Sequence, residues 1–187
     1  MQIFDIASIG TSLTAGTGAS KSWHRDLEAS LMVGKKSRVR TYNFGIAGGY
    51  SSDGLAVYPR VAALRPKVVL LEFLMNDCLL VYNTSRANMV SMISGIKAAS
   101  PASAIYLMTM NPTRGSSSSA TQRSALPTFN AIYRELAPLM SVGIIDTYDG
   151  WSAATLSDIP DGVHPTDVAN RTYLVPRIAE VLAPLIT

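Results

Sequence analysis

The sequence predicts an α/β sandwich built around a parallel sheet. Apolar runs of strand length alternate five times with longer amphipathic segments. The run Val68-Val69-Leu70-Leu71 is continuously apolar, as expected of a central parallel strand covered on both faces. The connections are short, and a barrel would need about eight strand–helix units, so the sheet is doubly wound rather than closed.

Residues 3–9 read as the first strand, and 22–33 as a helix with Trp23, Leu27 and Leu31 at helical spacing. Residues 39–44 form a second strand, which runs into Gly45-Ile46-Ala47-Gly48-Gly49. A helix over 51–64 has Ser51, Ser52 or Asp53 to cap it. The third strand is 68–73, followed by a helix at 85–99, a strand at 104–110, a helix at 120–139, a strand at 142–147 and a last helix at 167–185. Two connections are longer: 111–119, with four serines in a row from Ser116 to Ser119, and 151–160. No internal repeat or linker divides the chain, so its 187 residues read as one domain.

Composition narrows the function classes. Hydrophobic residues make up 48% and charged residues 16%, a globular profile. The net charge is +3, and the basic residues are scattered apart from Lys35-Lys36-Ser37-Arg38, which falls at a helix-to-strand turn. A nucleic-acid partner would need a wider basic face with interleaved aromatics. The single cysteine, Cys78, excludes an internal disulfide and a multi-cysteine metal site. No basic segment precedes an apolar one at the start, so no signal peptide is expected, and no apolar run approaches the ~20 residues of a membrane span. A soluble protein is expected, either cytoplasmic or part of a processed, secreted or virion protein, with its oligomeric state left open.

Ligands of doubly wound sheets gather beyond the carboxyl ends of the strands. Ser12 follows the first strand, in Gly10-Thr11-Ser12-Leu13, Gly48 follows the second and Asn76 the third; Asp161-Gly162-Val163-His164-Pro165 comes after the fifth. A serine nucleophile needs a base, a group that orients the base, and donors for the developing oxyanion. Of the two histidines, His24 falls inside the first predicted helix, where a surface or packing role fits. That leaves His164 as the base, on a turn fixed by Pro165.

Asp161 is within reach of the Nδ1 side of the His164 ring, and as half of an Asp-Gly pair it is equally a turn former. Gly48 either lets a backbone N–H approach a ligand closely or is a plain turn glycine. The Asn76 amide either donates to a substrate oxygen or satisfies nearby backbone. Glu72 interrupts a buried run and needs a partner there, so it reads as structural support. Asp77 reads as a brace for loop backbone and Cys78 as a small buried residue. Arg114 and Trp151, on the two long loops, offer polar and aromatic surface to a substrate, although Arg114 reads first as a solvated loop charge.

Gly10-Thr11-Ser12-Leu13, Asn43-Phe44-Gly45-Ile46-Ala47-Gly48, Met75-Asn76-Asp77 and Asp161-Gly162-Val163-His164-Pro165 together resemble the four signature blocks of the SGNH (GDSL) hydrolases. They stand in that family's order and approximate spacing, across nearly the whole chain. The resemblance implies a three-layer α/β/α fold of flavodoxin-like type with a five-stranded parallel sheet. It also implies Ser12 as nucleophile, His164 as base and Asp161 as its orienting partner. The oxyanion hole would be the Ser12 and Gly48 N–H groups and the Asn76 amide. No metal and no organic cofactor are implied. Two positions depart from the pattern: Thr11 stands where the family usually has Asp, and Leu74 where it often has Gly. These bear on rate and substrate shape rather than on reaction type.

The expected activity is ester hydrolysis through an acyl-enzyme, on a small-molecule or glycan ester. The polar serine loop and the lack of a long apolar lid favour a carbohydrate O-acetyl esterase over a general short-chain carboxylesterase, thioesterase or lysophospholipase. A non-catalytic glycan-binding or structural module on the same fold is the alternative from another class.

Overall fold

The computed structural model describes residues 2–187. In chain order its elements are β1 (Ile3–Gly10), α1 (Ser12–Ala15), α2 (His24–Met32), β2 (Arg38–Gly45), α3 (Ser51–Ala63), β3 (Val68–Glu72), α4 (Leu74–Asp77) and α5 (Tyr82–Ala99). There follow β4 (Ala104–Met108), α6 (Ser118–Gln122), α7 (Leu126–Leu139), β5 (Gly143–Ile145), α8 (Asp167–Ala169), a π-helical turn (Asn170–Leu174) and α9 (Val175–Leu182).

The five strands pair in parallel in the order β2-β1-β3-β4-β5. The most apolar strand, β3, is therefore central, and every one of its residues is buried. Truncating one of its leucines to alanine should cost about 2–5 kcal/mol. The chain runs from β1 outward to β2, then returns across β1 to β3, so the order reverses between β1 and β3. The carboxyl ends of these two strands flank the switch point, where doubly wound sheets bind their ligands.

Helices cover the sheet in two groups: α2 packs on α9, while α3 packs on α5 and α5 on α7. Trp23, Leu27 and Leu31 turn the apolar stripe of the first helical segment into the core, as their spacing predicts. In α7, Phe129, Ile132, Tyr133 and Leu136 do the same. Of the three candidate caps for α3, Asp53 closes the first turn, accepting the Tyr50 N–H at 2.8 Å.

Three features differ from the sequence expectation. The 120–139 segment is two helices, because Pro127 has no N–H to offer the Arg123 carbonyl; Leu126 N–H bonds that carbonyl instead, at 3.0 Å, and α7 starts afresh. The 167–185 segment widens into the π turn just ahead of Pro176, which likewise cannot donate to the turn before it. Asn76 lies on the short helix α4 rather than directly at the strand exit. Among the described residues no helix is long and apolar enough to cross a membrane.

Candidate active site

The loop leaving β1 is anchored from below. Thr11, in extended geometry, caps α1 by accepting the Leu13 N–H at 3.2 Å. Its own hydroxyl donates to Glu72 Oε2 at 2.8 Å, its N–H donates to the same oxygen at 3.0 Å, and the Thr14 hydroxyl adds a third bond at 3.0 Å. Burial pushes the Glu72 carboxyl up to about 7, against the downward pull of the Thr11 and Thr14 donors. Glu72 thus fixes both ends of the turn that presents Ser12. As the first residue of α1, Ser12 has an N–H with no acceptor inside the helix.

A second loop brings the imidazole to Ser12. Asp161 Oδ1 accepts the Val163 and His164 N–H groups at 2.9 and 2.7 Å, folding the chain into a tight turn. The other oxygen, Oδ2, lies 2.5 Å from His164 Nδ1, and His164 Nε2 lies 2.9 Å from Ser12 Oγ. One carboxylate therefore shapes the turn and faces the ring at once. Burial works to raise the Asp161 carboxyl, but the His164 N–H, the His164 ring and the Val163 N–H outweigh it and hold the group below its ordinary range. A charged Asp161 keeps a proton on Nδ1 and turns the Nε2 lone pair toward the Ser12 hydroxyl. The turn needs Gly162: its φ is +85°, and a Cβ there would sit 2.5 Å from the Arg114 carbonyl oxygen.

Two further candidate groups lie on the turn after β2 and on α4. Gly48, exposed and at φ +71°, turns the chain after β2, and its N–H has no protein acceptor among the described residues. Asn76 is buried; its Nδ2 donates to Gly49 O at 2.9 Å and its Oδ1 accepts from Arg123 Nη2 at 2.8 Å. The other N–H of that amide has no protein acceptor among the described residues. Neighbouring Asp77 accepts the Ser51 N–H at 2.9 Å and the Ser85 hydroxyl at 2.5 Å, which ties α4 to α3 and α5. Chemically, the assembly offers a hydroxyl beside a charge-oriented imidazole.

The family model of the GDSL-like lipase/acylhydrolases matches residues 8–172, from β1 through the His164 turn. The chain belongs to the GDSL-like lipase/acylhydrolase family. It is thus a hydrolase acting on ester bonds. No curated protein sequence matches the chain. Among solved structures it is similar in fold to a lipase/acylhydrolase from Enterococcus faecalis, at 20% identity over 98% of this chain and 97% of that one, with a TM-score of 0.79. A lipase from a goat rumen metagenome gives 18% identity, 96% and 97% coverage and a TM-score of 0.75. A catalytic mutant of an acetylxylan esterase from Geobacillus stearothermophilus gives 17% identity, 96% and 93% coverage and a TM-score of 0.75.

For this GDSL-like chain, two sequence expectations about the cleft need correction or restatement. Trp151 offers no surface to a substrate: it is fully buried, with its ring centroid 5.1 Å from that of Tyr173. Arg114 is tied to loop backbone. Its guanidinium donates to the Trp151, Ala154 and Thr113 carbonyls at 2.8, 3.0 and 3.2 Å, and its N–H to Gly162 O at 2.9 Å. His24 packs in the core, stacked on Trp23 at 3.7 Å, and burial lowers it to about 3, so it stays neutral.

Three supporting residues escaped the sequence reading. Asn111 Nδ2 donates to Val163 O at 2.9 Å, the Ser117 hydroxyl donates to Asp161 O at 2.9 Å, and Arg123 holds Asn76. All three lie in or beside the serine-rich connection, where composition signals only a loop. Their roles come from contacts 44 to 52 residues away in sequence.

Proposed function

We propose that the chain is a serine esterase that removes short acyl groups through an acyl-enzyme, acting as a carbohydrate O-acetyl esterase. The observation that carries the reaction is the continuous chain from Asp161 Oδ2 through the His164 ring to Ser12 Oγ, at 2.5 and 2.9 Å. Ser12 Oγ attacks the ester carbonyl as His164 Nε2 takes its proton, and Asp161 stabilises the imidazolium. The oxyanion is met by the Ser12 and Gly48 N–H groups and the free Asn76 amide N–H. His164 then protonates the leaving alcohol, and water repeats the sequence to release the acid.

Two observations support a sugar acetate as substrate. The serine-rich connection presents an exposed polar face at residues 116–119, which suits a hydroxylated leaving group. The fold neighbour from Geobacillus stearothermophilus is an acetylxylan esterase. A second reading, a carboxylesterase for longer acyl chains, draws on Leu79, Leu80 and Val81, which are exposed in sequence just beyond the Asn76 turn. Acetate release from acetylated xylo-oligosaccharides, run beside nitrophenyl esters of increasing chain length, separates the two. Highest kcat/KM on the acetylated sugars supports the first; a kcat/KM that climbs with acyl length and ignores the sugars supports the second.

A further inference from the structure

Arg123 occupies an unusual station. As the residue that ends α6, just before the break forced by Pro127, it points its guanidinium back toward α4. Nε donates to Met75 O at 2.9 Å, Nη1 to Ser119 O at 2.8 Å and Nη2 to Asn76 Oδ1 at 2.8 Å. A guanidinium is a rigid planar fork. With Nε and Nη1 fixed on two backbone carbonyls, the position and direction of Nη2 are fixed as well. The bond to Asn76 therefore comes from an anchored donor and not from a wandering surface side chain.

The consequence concerns a group that can face two ways. A primary amide presents either its oxygen or its NH2 to a given direction, and only the NH2 can stabilise an oxyanion. In the present orientation Oδ1 meets Arg123 and one N–H meets Gly49 O. The flipped orientation would set Oδ1 against the Gly49 carbonyl and the NH2 against the guanidinium, an acceptor on an acceptor and a donor on a donor. A charged donor on the amide oxygen also draws electron density from the nitrogen, which makes the remaining N–H a stronger donor.

We infer that Arg123 is the positioning residue of the oxyanion hole: it fixes and polarises the Asn76 amide without touching the substrate. This rests on the proposed role of Asn76. An interaction that matters only once the oxyanion forms should appear in kcat and leave KM alone.

A double-mutant cycle on a nitrophenyl acetate substrate tests it, using Asn76→Ala, Arg123→Gln, Arg123→Lys and the combinations, each checked by thermal melting. Arg123→Gln should lower kcat at least about tenfold with KM within about twofold, and should add nothing further in the Asn76→Ala background. Arg123→Lys, which keeps a charged donor but not the fork, should recover part of the loss and serves if the glutamine variant melts early. Equal kcat losses in both backgrounds would overturn the inference, because Arg123 would then act by another route. A normal kcat for Arg123→Gln beside an impaired Asn76→Ala would overturn it while leaving the oxyanion hole standing. A normal kcat for Asn76→Ala would remove both.

Discussion

The Thr11 hydroxyl donates to Glu72 Oε2 across 2.8 Å, with both residues buried beneath the loop that carries Ser12. The same hydroxyl accepts the Leu13 N–H, so it bonds in both directions at once. This gives Thr11 a physical role in the loop that carries Ser12. A carboxylate at position 11 would face the Glu72 oxygen directly, whereas a hydroxyl donates to it and still caps the helix.

Thr11→Val keeps the shape and removes both hydroxyl bonds. It should cost about 1–3 kcal/mol of stability, from the lost cap and a buried carboxylate oxygen with one donor fewer. Urea unfolding at neutral pH measures this. Turnover should fall as well, since the Ser12 loop loses a support.

Glu72 makes stability depend on pH. Its carboxyl is raised by burial to about 7, so the folded state holds a proton that the unfolded chain, near 4.5, has released. The stability associated with that proton is fully present below about 4.5 and is lost as pH rises through about 7. The full swing is on the order of 3 kcal/mol. Glu72→Gln cannot ionise and should flatten this stretch, gaining on the parent protein between pH 5 and 8 in roughly that window. Melting temperatures of both proteins across the range provide the check.

Much of the architecture is legible in the sequence. Period and run length located all five strands, because each buried parallel strand must be apolar over its length and each covering helix must show a stripe. Ser12, Gly48, Asn76 and the Asp161–His164 turn are candidates because a sheet concentrates chemistry at its carboxyl ends, and of these the structure sets His164 against Ser12 and Asp161. What escaped notice depends on contacts rather than on local pattern. Trp151 looked like loop surface, yet it closes the core against Tyr173. Arg123 was hidden inside one long predicted helix, and its station follows only once Pro127 breaks that helix. Two acceptable helical halves carry no signal of the break except that one missing N–H.

Asp161 is held below the ordinary carboxylate range, so it stays charged well into acid. For stability the sign is that of a depressed carboxyl: its contribution is present above the unfolded value and fades as pH falls through the lower folded value. Loss of the Asp161 charge therefore does not set any decline of activity in mild acid. Asp161→Asn should lower kcat by on the order of 10⁴ without unfolding the protein, because the amide stabilises the wrong tautomer. A pH–rate profile beside a single-pH kcat for the variant measures both effects.

Gly162→Ala tests the turn that presents His164. The new methyl meets the Arg114 carbonyl oxygen at 2.5 Å and the backbone is held at φ +85°, so a cost of about 1–3 kcal/mol is expected. Turnover should fall further than stability predicts, because the imidazole moves with the turn. Arg114→Met, by contrast, should loosen the 151–161 connection and lower the melting temperature with little change in KM. A rise in KM with unchanged melting would instead mark Arg114 as a substrate contact.

The most direct test of the account is covalent labelling with a fluorophosphonate probe, followed by peptide mass spectrometry to locate the adduct. An activated serine nucleophile reacts through the same base and oxyanion donors that serve an ester. The predicted result is a single adduct on Ser12, absent in Ser12→Ala and strongly slowed in His164→Ala. A folded protein that takes no label, or takes it on another residue with Ser12→Ala unaffected, would contradict the assignment of Ser12, His164 and Asp161 as the catalytic chain.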